Sequence, residues 1–399
     1  MEDRIREYAK LLLECIKLNE KKYLFISGPS ICKDFMDLLN EMSDDYNIKE
    51  VYIDSVDMDK KHDVLKNYDI EDIYKHPMFN EEIYNKYAKL DAAFIFLESP
   101  IPNLMNDVDP NKIKLQRLHT RRTKQYFQDL YERMEVNWVI AGCPNEKWAK
   151  QVGLSLDDMW NLILDICMVD DNFAYDNWLQ FLDELNDRTN ILNAYEFKQL
   201  KYTNSLGTDL TIELNDKNIW SSGTSKYGVI VNMPTYEIFT SPNWKKTEGI
   251  VYSSKPLLYN NILIDNFYLR FHEGRVIEYH ADSELEMETL KSIIETDEQS
   301  YYLGECALVP YDSKISLSNT IFYETLYDEN ASCHLALGCG FSECLEGGDD
   351  MSDQELSDNG VNVSKQHVDF MIGTKDLSII GITKDGKEIE IFKDGNFNI

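Results

Sequence analysis

Short apolar runs alternate with longer stretches of helical period through the first half of the chain. Residues 22–27 (KYLFIS), 48–55 (IKEVYIDS), 91–98 (DAAFIFLE) and 137–142 (NWVIAG) are bounded runs of strand length. Between and after them, 34–42, 80–90, 113–134 and 157–168 read as helices. Buried strands alternating with helices predict a mostly parallel sheet covered on both faces. A last long helix over 178–193 closes this half. The texture then changes. Residues 200–215 and 227–232 are β-branched and aromatic runs divided by turn signals, and 266–273 pairs with 274–280 around a Glu-Gly turn. Near the end, 377–383 and 388–392 flank Asp385-Gly386, a hairpin signal. With one helix over 284–296, the second half is expected to be largely antiparallel β. The predicted fold class is therefore α/β plus α+β. Residues 1–188 form a mostly parallel α/β domain and 189–399 a largely antiparallel β domain.

Composition narrows the function. The 399 residues are 43% hydrophobic, enough to build two cores. A formal net charge of −31 repels a phosphate backbone and suits anionic membranes poorly, so neither nucleic acid nor membrane is an expected partner. The first 22 residues form a charged amphipathic pattern without a signal peptide's apolar stretch, and no window approaches the roughly 18 apolar residues of a membrane span. Eight dispersed cysteines without a Cys-x-x-Cys pair read as reduced thiols, and the expected location is cytoplasmic. Ser27-Gly28-Pro29-Ser30 follows the first strand but lacks the later glycines and the Lys-Ser/Thr ending of a nucleotide loop.

Candidate chemistry gathers in the second half. His367 and Asp369 stand two apart, so in a strand they project to one face, an arrangement that can hold zinc, cobalt or manganese. The alternative is a hydrogen bond between them. His334, in DENASCHLALG, is either a ligand or a buried imidazole satisfied by backbone. Cys333, Cys339 and Cys344 nearby do not have the spacing of paired-cysteine zinc knuckles. Glu305 in LGECALVP and Glu237 in TYEIFT interrupt apolar runs. Each either faces water or is a buried carboxylate that needs a partner. As a set, three carboxylates and two imidazoles exceed what one tetrahedral zinc takes and suit two divalent ions.

Four stretches carry a resemblance: NMPTYEIFTSP (232–242), LGECALVPYDSKIS (303–316), IFYETLYDENASCHLALG (321–338) and GVNVSKQHVDFMIG (360–373). In this order they resemble the thermophilic aminopeptidase T/S family of metallo-aminopeptidases, with weaker similarity over nearly the whole chain. The resemblance implies that Glu237, Glu305, His334, His367 and Asp369 bind two divalent metal ions and that 189–399 is the catalytic domain. It further implies a homodimer that hydrolyses the N-terminal bond of short peptides with a free N-terminus. Glu305 is the candidate to carry the water's proton. The chain departs from the family at Phe341, where a catalytic tyrosine is usual, and at Tyr236, which replaces the first of two glutamates. The Phe341 position implies, as an alternative, a metal-binding homologue with weak or no peptidase activity.

Overall fold

Four aromatic side chains set the first sheet. Tyr52, Phe25, Phe94 and Trp138 stand in register across neighbouring parallel strands, so their rings line one face. Tyr84, Tyr87 and Phe127 cover that face from the helices above and make it a core. The computed structural model describes residues 1–79, 81–170, 173–225, 227–260 and 262–399. Within them the sheet runs Glu50–Val56, Tyr23–Pro29, Ala93–Glu98, Trp138–Gly142, Asn232–Met233, all parallel, as the first half's pattern predicts. Asn80, the expected start of a helix, lies outside the described residues; the helix itself is Glu82–Lys89.

Two expectations need correction. The single helix over 113–134 is two helices, Pro110–Thr123 and Gln125–Glu132. The cause is Asn85. Its amide donates to the Thr123 carbonyl at 2.8 Å and accepts from the Phe127 N–H at 3.0 Å. Those two backbone groups would otherwise bond to each other, so a side chain from another helix has opened the ladder. Residues 227–232 are not one strand either. Ser225 N–H bonds the Val229 carbonyl around Gly228, whose φ is +70°, and only Asn232–Met233 extends.

The chain divides into two compact units, Met1–Gln180 with Thr224–Pro234, and Phe181–Gly223 with Thr235–Ile399. The sequence drew one boundary at 188/189; the division falls at 180/181 and assigns 224–234 to the first unit. Among the described residues no helix is long and apolar enough to cross a membrane.

The second unit is built on antiparallel sheets. The larger runs Arg275–His280, Tyr268–His272, Pro242–Tyr252, Asp209–Leu214, Phe197–Thr203, Ser378–Thr383, Glu388–Lys393, Asn396–Phe397. The smaller runs His367–Met371, His334–Gly338, Leu303–Leu308, Ile238–Thr240, Ser221–Ser222. Its central strand, Leu303–Leu308, is buried along its whole length. The register shifts between Leu303 and Glu305, where Gly304 lies against the neighbouring strand's end. A Cβ there would fall 2.1 Å from the Gly338 carbonyl oxygen and 2.3 Å from that of Cys339, both backbone. Gly304→Ala should therefore push the strand away and destabilise the second unit by about 1–3 kcal/mol, read as a lower denaturant midpoint. An unchanged midpoint would show that the strand end can give way.

Candidate metal centre

The strand register places the five sequence candidates on one face of the smaller sheet. Ala307 lies opposite both His334 and Phe239, and Ala336 lies opposite Asp369. Residues directly opposite share a face, and so do residues two apart along a strand. Glu305 therefore joins His334, His367 and Asp369, while Glu237 sits two residues before Phe239 at the entrance of its strand. The small side chains of Ala307 and Ala336 lie on the same face. The result is two groups of donors, Glu237–Glu305–His334 and Glu305–His367–Asp369, each with its ligand atoms within 4.8 Å of one another. Glu305 belongs to both.

The imidazoles are oriented from behind. His334 Nδ1 lies 3.0 Å from the Ser332 carbonyl oxygen and His367 Nδ1 2.7 Å from that of Cys339. A carbonyl can only accept, so each Nδ1 carries a hydrogen and each Nε2 points forward. His334 Nε2 lies 3.2 Å from Glu237, and His367 Nε2 lies 3.1 Å from Glu305 and 3.0 Å from Asp369. In the neutral imidazole this sets a lone pair against carboxylate lone pairs. The contact is favourable only if a proton or a metal cation lies between. Hard oxygen donors with two imidazoles suit divalent ions, so the donor set fits the metals expected from sequence.

Electrostatics lead to the same place. Burial lifts the Glu305 carboxyl to about 7, against the lowering effect of His367. Burial would also lower both histidines, yet Glu237 holds His334, and Asp369 with Glu305 holds His367, well above the usual imidazole range. Asp369 overcomes its own desolvation through His367 and sits at about 2. One further residue is missing from the sequence reading. Glu329, at the end of the short helix Thr325–Glu329, is pushed well up by burial and then by the charges of Asp369 and Glu237. In DENASCH it reads as part of an acidic solvent-facing run, and no local signal marks it.

Phe341 also lies at the site. Its ring is 5.2 Å from the His367 ring and 5.1 Å from Phe239, and its N–H donates to Ser241 Oγ at 2.7 Å. The segment leading to His367 is held by Asp297, which accepts from Ser364 Oγ and Lys365 N–H, both at 2.8 Å. On the opposite side, Tyr236 N–H donates to Asn330 Oδ1 at 2.6 Å and fixes the approach to Glu237.

Carboxylates and imidazoles that converge on one sheet face form a candidate centre for divalent metal ions. Residues 1–397 match the thermophilic metalloprotease (M29) family; the chain belongs to that family and is one of its enzymes. It is similar to aminopeptidase AmpS of Bacillus subtilis, at 35% identity with 99% of this chain and 98% of the relative aligned. It is similar in the same degree, 35% identity over 99% and 98%, to aminopeptidase 2 of Geobacillus stearothermophilus. Among solved structures, wild-type AmpT from Thermus thermophilus matches with a TM-score of 0.90 at 27% identity, covering 100% of both chains. The family read from the four sequence motifs and the α/β-plus-antiparallel fold class both stand.

Asp297 generates a pH prediction. Desolvation would raise its pKa, but the Lys365 N–H, the Ser364 hydroxyl and further donors outweigh it and leave the group below its usual value of 3.8. The folded protein thus binds fewer protons here than the unfolded chain. The resulting stability is complete above the unfolded value and is lost as pH falls through the folded one. Asp297→Asn should lower stability at pH 7 and leave a shallower acid limb below about pH 4, followed by tryptophan fluorescence. Parallel acid limbs in variant and wild type would remove Asp297 from this role.

Proposed function

We propose that the chain is a metal-dependent aminopeptidase that releases the N-terminal residue of short peptides, with two divalent ions held by Glu237, Glu305, His334, His367 and Asp369. The convergence of these donors in two groups sharing Glu305 is the observation that carries the reading. We add Glu329 to the site. With it the carboxylates would carry four negative charges when all are ionised, which two dications would balance, and a carboxylate buried among like charges ionises only with such compensation. Bound there, the ions would supply Lewis-acid polarisation of the scissile carbonyl and a more acidic water. Their identity is proposed as zinc, cobalt or manganese, all of which accept this donor set.

The chain's own residues do the rest. A carboxylate must take the water's proton and return it to the leaving amine, and Glu305, common to both groups, is assigned that step. The Cys339 and Ser332 carbonyls fix the tautomers that leave Nε2 of His367 and His334 available. Phe341 beside His367 supplies ring packing but no hydroxyl, which supports the second reading, a metal-binding homologue of low peptidase activity. A homodimer and a cytoplasmic location complete the proposal. The first rests on the motif resemblance and the second on eight cysteines that are all free thiols.

Metal analysis beside a panel of aminoacyl amides tests the whole reading. Two ions per chain and activity abolished by chelation are expected. Asp369→Asn should lose metal and activity together, because a neutral amide is the poorer ligand. Full activity after exhaustive chelation would end the metal reading. Sedimentation should give about twice the chain mass, and a concentration-independent monomer would refute the dimer. Phe341→Tyr should raise turnover by up to about 10²–10³ at unchanged metal loading, if an oxyanion donor is what the site lacks. A wild type that is already robustly active, with no gain in the variant, would mean the donor is supplied elsewhere.

A further inference from the structure

The first unit contains a charged cavity of the opposite character. It measures about 830 Å3 and lies at the carboxyl ends of Tyr23–Pro29 and Glu50–Val56, where Ser27, Asp54 and Val56 reach its wall. Parallel α/β sheets bind ligands at that end, beside the strand from which the order reverses. Tyr23–Pro29 is that strand, since the chain places Glu50–Val56 on one side of it and Ala93–Glu98 on the other.

Lys60, Lys61, Arg117 and Lys124 line this cavity. None of the four side chains forms an ion pair or hydrogen bond with another described residue. Lys60 and Lys61 stand in the opening turn of Met58–Asn67, the end of a helix where cations are disfavoured. Lys124 occupies the break opened by Asn85 and lies over the Tyr84 ring at 4.7 Å. Burial lowers the pKa of both Lys61 and Lys124, with Glu81 opposing. Asp54 and Asp57 are engaged with neutral donors, and Glu81, which draws Lys124 and Lys61 electrostatically, keeps one buried oxygen without a hydrogen bond. Asp54 accepts from the Tyr84 hydroxyl at 2.8 Å and that of Ser27 at 3.2 Å. Asp57 caps its helix through Lys60 N–H, and Glu81 accepts from Thr120 at 3.1 Å. Cations without an ion pair or hydrogen bond among the described residues, on a wall that also offers the Tyr52 and Phe79 rings, point to an anion site with apolar contact.

We propose that this cavity binds a small organic anion bearing at least two negative charges, as phosphate or carboxylate, through Lys60, Lys61, Arg117 and Lys124. The volume is that of a small-molecule pocket, about 300–1,000 Å3, and the net charge of −31 repels a polyanionic polymer.

Calorimetric titration of the full-length protein with pyrophosphate and, separately, with succinate at low ionic strength tests it. At least one probe should bind at a single site, more weakly as salt is added. Lys60→Gln with Arg117→Gln, both exposed positions, should weaken binding about tenfold or more, as should Lys124→Gln. Asp369→Asn should leave it intact, which separates this site from the metal centre and from the fate of the aminopeptidase reading. The probe that binds tells phosphate from carboxylate. No binding of either probe, equal affinity in the cavity variants, or binding lost only in Asp369→Asn would each overturn the proposal.

Discussion

The second unit gathers Glu237, Glu305, Glu329 and Asp369 around two imidazoles in one place largely shielded from water. Carboxylates removed from water and set against one another cost several kcal/mol apiece unless charge of the other sign arrives. Two imidazolium ions would answer half of that, and dications answer all of it. Much of the local architecture follows from this constraint. The Ser332 and Cys339 carbonyls that fix the imidazoles, the Asp297 clamp before His367 and the Asn330 hold on Tyr236 all limit how far the backbone carrying these groups can relax when like charges push it apart.

The register of one buried strand makes this possible. Leu303–Leu308 is hydrogen-bonded on both sides, and its neighbours are aligned so that alternate residues of four strand segments meet on one face. A slip of a single residue would turn every donor to the other side. Gly304 supports this arrangement because only a residue without a side chain lets the strand end approach the backbone at 338–339.

His367 and Asp369 were legible in the sequence because a period of two needs no tertiary information. Glu305 was only half legible. Alternation ordinarily separates a wet face from a dry one, but Leu303–Leu308 is buried on both, so the pattern could not say where the glutamate pointed. Glu237 precedes a three-residue strand, too short to establish a phase. It was the order of four motifs, not any local pattern, that joined these residues. Glu329 escaped because an acidic run is normally a solvated one. The first unit shows the same limit. Its four long strands were readable as apolar runs, whereas the break at Lys124 depends on Asn85, 38 residues before Thr123, and nothing near 123–127 announces it.

Net charge describes neither site. A value of −31 argues against nucleic acid, yet it averages over a carboxylate-rich cluster in one unit and a lysine- and arginine-lined cavity in the other. Screening confines each field to about 8–10 Å at physiological ionic strength, so the local ligand experiences its own wall rather than the sum. Acidic donors buried together favour a cation, and cations that converge without ion pairs among the described residues favour an anion. The same desolvation argument, applied with opposite sign, accounts for both.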